Sequence, residues 1–171
     1  MTRTLIAALL SLGLAATAHA GPEDFHPGTA IPDFGKIADV ASADAIPADT
    51  VFKVAFDVAK AADEGQTNRN FDSAARFINM HVAAGVPLDQ IHVAIVVHGP
   101  AASDLTDRED NASAALIAAL IDSGASITLC GQTAAYRDIA ASDLLPGVSM
   151  SLSAMTAHAQ LQQDGYTLNP F

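Results

Sequence analysis

The chain is 171 residues long, half of them apolar, with a formal charge of −11 and a single cysteine. That length and apolar fraction suit one domain with a sizeable core, and the acidity speaks against nucleic acid as a partner. A lone thiol excludes an internal disulfide, so any disulfide would join a second molecule or a small thiol.

Arg3, the apolar run from Leu5 to Ala16 and the small residues of Ala18-His19-Ala20 read as a cleavable signal peptide over residues 1–20, cut after Ala20. The run falls short of the roughly 20 apolar residues of a spanning helix. A periplasmic or secreted protein with no membrane attachment after cleavage is therefore expected. Residues 21–50 carry Pro22, Pro27, Pro32 and Pro47 with Gly28 and Gly35 and keep no sustained period, so they read as an extended N-terminal arm. Phe25, Ile31, Phe34 and Ile37 are apolar enough to pack on the domain or on a neighbouring subunit; a flexible linker is the alternative. His26 reads as an exposed imidazole.

Residues 51–171 change to alternating apolar runs and helical periods. Val51 to Val58 predicts a strand with Phe52, Val54, Phe56 and Val58 on one side and Asp57 near its end. A polar loop then leads to Asn70, the expected cap of a helix whose Phe71, Ala74, Ala75, Ile78 and Val82 recur at helical spacing. Gly85-Val86-Pro87 stops it. Met80 and His81 on that helix read as packing or solvated residues. Ile91 to Val97 is continuously apolar, as a central parallel strand buried on both faces should be, and it ends in His98-Gly99-Pro100. His92, at the other end of that strand, reads as structural.

Thr106 and Glu109 have capping-box spacing and predict a helix start there, with Ala115, Leu116, Ala119 and Leu120 as its buried stripe and Gly124 as its end. The Asp107-Arg108-Glu109-Asp110 cluster is then explained by capping. Ser126 to Cys130 predicts a strand that delivers the thiol to its carboxyl end, with a helix over about 133–141 close behind. A fourth strand over 148–152, a helix over 154–163 and a brief strand over 166–168 complete the order. The fold class is α/β, a three-layer α/β/α arrangement around a five-stranded, mainly parallel sheet.

In such a sheet ligands gather at the carboxyl ends of strands. Asp57, His98 and Cys130 all fall there, and they share one rim if their three strands are neighbours. A following helix start favours the thiolate; the competing reading makes Cys130 a small buried hydrophobe. Thr128 and Gln132 flank the cysteine where a nucleophile elbow would have glycines, which weakens a hydrolase reading. The sequence lacks C-x-x-C, H-E-x-x-H, a Walker loop and G-x-G-x-x-G after a strand, so no cofactor or metal is expected. His158, in the last helix, reads as a packed or solvated residue.

His98-Gly99-Pro100, Cys130-Gly131-Gln132 with Arg137 and Ile139 after it, Pro146-Gly147-Val148 and the run from Leu161 to Tyr166 together resemble the DsrE/DsrF-like family across residues 51–171. The resemblance implies an α/β/α fold and assembly into homo-oligomers, trimers or hexamers. It also implies sulfur relay through a cysteine persulfide, with Cys130 as the sulfur acceptor and a protein as sulfur donor or acceptor. His98 and Gln132 match a recurring motif and are candidate rim partners. The expectation is an exported sulfur carrier; the alternative is a non-enzymatic oligomeric module that binds a small ligand.

Overall fold

The structure, a computed structural model, describes residues 21–47 and 49–169. The signal peptide expected over residues 1–20 lies outside the described residues. Five strands form: β1 (Phe52–Val58), β2 (Ile91–Val97), β3 (Ser126–Cys130), β4 (Ser149–Ser151) and β5 (Thr167–Asn169). They lie in the order β4-β3-β2-β1-β5, and every pairing is parallel.

Side-chain alternation in the strands sorts residues between the two faces of this sheet. In register, Phe56 lies beside Ile95 and Ile95 beside Ile127; the next row is Val58, Val97 and Leu129. These rows are buried and join the main core with Phe71, Ile78, Leu116, Ile117 and Leu120 of helices α1 (Arg69–Ala83) and α2 (Ala114–Asp122). Each such large apolar side chain contributes about 1.5–3 kcal/mol by leaving water. Helix α3 (Gly131–Arg137) follows β3 directly, and α4 (Ala154–Gln163) crosses the opposite face, against β2 and β3.

Three local expectations are corrected. Helix α1 is capped by Asn68, whose side chain accepts from the Asn70 N–H, so the capping residue lies two positions before the expected Asn70. No capping box forms at Thr106 and Glu109. The chain after β2 winds as a 3-10 segment through Gly99–Leu105, the Thr106 hydroxyl donates to the Ser103 carbonyl, and Asn111 donates to the carbonyls of Asp104 and Thr106. These side-chain bonds occupy the groups that a helix start would need. The helix begins at Ala114, which turns Ala115 outward and buries Ile117. Helix α3 ends at Arg137, before the expected 141, because Asp138 takes a left-handed conformation with φ 55°.

The arm packs on its own domain. Ile31 and Ile37 are 2% exposed, and His26 and Ile37 form an antiparallel bridge. Asn79, fully buried on α1, holds the arm: its amide donates to the carbonyls of Ile31, Phe34 and Gly35, and its oxygen accepts the Ile31 N–H. Gly35, at φ +61°, approaches the α1 backbone where a Cβ would lie 2.3 Å from the Arg76 nitrogen. Such an approach at positive φ demands glycine.

Replacing Asn79 with alanine should leave these arm groups unpaired and cost about 3 kcal/mol. Urea unfolding measures the loss, and limited proteolysis should then cut the arm before the domain.

Candidate functional site

The strand order makes β1, β2 and β3 neighbours, so Asp57, His98 and Cys130 do lie along one rim. His98 and Cys130 each stand one step beyond the last-paired residue of β2, Val97, and its partner Leu129. Parallel register thus delivers three chemically distinct side chains to the same end of the sheet.

A fourth residue joins them. The Asp57 carboxylate sits between two imidazoles, with His158 Nε2 2.7 Å from Oδ1 and His98 Nε2 3.1 Å from Oδ2. A carboxylate only accepts, so each ring carries its proton on Nε2 in the neutral form, leaving Nδ1 with the lone pair. Burial raises the Asp57 pKa, but the bonds from His158 and then His98, with the attraction of their charge, outweigh that and hold it below the ordinary 3.8. Sequence reading left His158 as a packed or solvated residue. It lies about a hundred positions from Asp57, and only the docking of α4 on the sheet brings the two together.

Cys130 is 6% exposed, more covered than an open crevice would leave it, yet it is not part of the main apolar core. It lies at the carboxyl end of β3, directly before the first turn of α3. Burial raises the thiol pKa, while hydrogen bonds from the Thr133 hydroxyl and from the backbone N–H groups of Thr133, Ala154 and Gln132 lower it further, so the net value falls below the ordinary 9.0. These donors favour a thiolate. Gly131 lets the chain make this turn: a Cβ there would stand 2.5 Å from the Ser151 carbonyl oxygen.

The two halves of the site are joined by Thr133. Its hydroxyl oxygen accepts the Gly99 N–H at 3.1 Å and bonds the sulfur, linking the turn after His98 to Cys130. Thr133 escaped the sequence reading because a threonine in a helix's first turn carries no signal of its own. The Gln132 side chain points elsewhere, donating to the Leu152 carbonyl at 3.3 Å, and contributes to the sulfur through its backbone N–H. His98 bonds Asp57 rather than the sulfur. His26 pairs loosely with Asp39 on the exposed arm, and the His81 ring packs against Phe52 and Phe77. Among the described residues no group of three or more His, Cys, Asp or Glu is disposed to hold a metal ion. No helix among them is long and apolar enough to cross a membrane.

This site sits in a known type of protein. The profile of the DsrE/DsrF-like family matches residues 53–170, well over half of the chain, and the chain belongs to that family, which is linked to sulfur relay. The fold is similar to that of a protein of unknown function, MTH1491 from Methanobacterium thermoautotrophicum, with 18% identity and a TM-score of 0.52 over 69% of this chain and 97% of that one. It is also similar to the ychN protein from E. coli, with 13% identity and a TM-score of 0.53 over 70% of this chain and 100% of that one. No curated protein matches the chain.

Because Asp57 titrates lower in the folded protein, its contribution to stability is present above 3.8 and is lost as pH falls through the folded value. The stability difference between wild type and Asp57→Asn should therefore be full at neutral pH and shrink steadily in acid, as read from urea midpoints across the pH range.

Proposed function

We propose that the protein is an exported sulfur carrier in which Cys130 takes up sulfane sulfur as a persulfide. The observation that carries this reading is the place of Cys130 at the carboxyl end of β3, directly before helix α3, on the rim it shares with Asp57 and His98, where the neighbouring hydroxyl and backbone N–H groups lower its pKa. In the step, the Cys130 thiolate attacks the terminal sulfur of a donor persulfide. A sulfur–sulfur bond forms at Cys130, the donor's sulfur–sulfur bond breaks, and the donor leaves as a thiolate, with no net oxidation. The donor or acceptor is itself a protein in this reading. Export rests on the sequence of residues 1–20, and the mature chain would begin at Gly21.

Incubation with a sulfane-sulfur donor should add the mass of one sulfur atom to the wild type and none to Cys130→Ser, by intact mass spectrometry. The near-complete cover over Cys130 favours a second reading, a non-enzymatic module in which the cysteine is only packed. Absence of any gain in a folded wild type would favour that module.

The carrier also self-associates in this reading, as a trimer or hexamer. Leu152 and Met155 are 72% and 79% exposed and follow β4, while Tyr136, 89% exposed, lies one turn beyond Gln132 on the side of α3 that reaches the Leu152 carbonyl. Apolar side chains gathered like this mark an interface. Leu152→Asp should lower the mass measured by light scattering to that of a smaller species while the circular dichroism spectrum stays unchanged.

A further inference from the structure

Helix α4 is held unlike the rest of the fold. Ala157 is its one buried residue, and no residue of α4 belongs to the main core. Beneath it lies a cavity of about 200 Å³, lined by Ala94, Val96, Ser126 and Thr128 of the sheet and by Ala157 and Leu161 of the helix. Apolar packing is therefore thin along this seam, and polar ties do more of the holding. At the carboxyl end of α4, Lys53 Nζ donates to the Asp164 carbonyl at 3.0 Å. At the other end, the Leu152 carbonyl receives Gln132. Between them stands the His158 bond to Asp57, 2.7 Å long, with the His158 side chain only 18% exposed.

The start of the same helix lies beside the reacting residue: Ser151 pairs with Cys130 across β3 and β4, and Ala154 follows it by three positions, its N–H among the groups that lower the thiol pKa. His158 follows Ala154 by four positions, one helical turn, so a bond made at His158 fixes the height and rotation of Ala154. The titratable groups at this seam include Asp57 from β1, His98 from the turn after β2, His158 from α4 and Cys130 itself, with Lys53 and Asp164 at its far end.

We infer that Asp57 and His158 are positioning residues for Cys130: their bond clamps an underpacked α4 to the sheet so that the start of the helix stays in place beside the thiol. The inference rests on reading Cys130 as the reacting thiol, and it adds how that thiol is kept covered beside the helix start. Asp57 acts through His158 and α4. His98, on the other carboxylate oxygen, holds Asp57 from the β2 side and limits its rotation.

The test is the rate at which a small aromatic disulfide labels the native protein across the pH range; with one cysteine in the chain, the signal belongs to Cys130. His158→Ala and Asp57→Ala should each move the midpoint of thiol titration to higher pH, as the start of α4 moves away from the thiol, and raise the limiting rate at high pH about tenfold, the effect of losing a hydrogen bond to a charged group. His158→Gln, which keeps a side-chain N–H at that position, should stay closer to wild type. Gln162→Ala, exposed on α4, should match wild type. A general loosening of the fold would raise the rate in all the variants, and thermal melts identify any that do not fold. If folded Asp57→Ala and His158→Ala keep the wild-type midpoint, the inference is overturned, whatever their limiting rates. Labelling reads the thiol without any sulfur transfer. A shifted midpoint in a protein that gains no sulfane sulfur would uphold the clamp and reject the carrier, and the reverse pattern would do the opposite.

Discussion

Parallel pairing of β1, β2 and β3 in one register is the constraint on which the rest of this protein depends. It sends the apolar residues of every second position into a single core with α1 and α2, and it brings Asp57 near the end of β1, His98 just after β2 and Cys130 at the end of β3 to the same rim. The carboxylate, the imidazole and the thiol are each unremarkable in sequence. Together on a rim they become a charged, hydrogen-bonded seam. Because the rows Phe56, Ile95, Ile127 and Val58, Val97, Leu129 are buried, a slip of one residue would expose them, so the same burial that stabilises the core also fixes the site.

The two faces of the sheet do different work. One is sealed by α1, α2 and the arm, whose attachment through Asn79 turns a proline-rich segment into part of the fold. The other face carries α4 over partly unfilled space, tied to Asp57 by the hydrogen bond from His158. Dense packing tolerates little movement, whereas thin packing with directional bonds allows an element to be displaced at modest cost.

Much of the architecture was legible in the chain. The continuous apolar run of residues 91–97 matched a central strand covered on both sides, the helical spacing of Phe71, Ala74, Ala75 and Ile78 placed α1, and the resemblance of residues 51–171 led to the family whose profile matches. The errors fell where side chains compete with backbone for the same hydrogen bonds. Asn68 capped α1 in place of Asn70, and Thr106 and Asn111 satisfied carbonyls locally and delayed α2 to Ala114. Such choices turn on which acceptor lies nearest in space, and pattern along the chain does not encode that.

The sequence by itself determined the class of fold, the succession of strands and helices and the presence of one thiol at a strand end, because periodicity and composition are local properties. Only the tertiary structure decided that α4 docks where His158 meets Asp57, that Thr133 joins the His98 turn to the sulfur, and that Cys130 lies covered but among donors. Each of those contacts links residues on different elements, across up to about a hundred positions. They exist only once strand order and helix docking have set the distances between them.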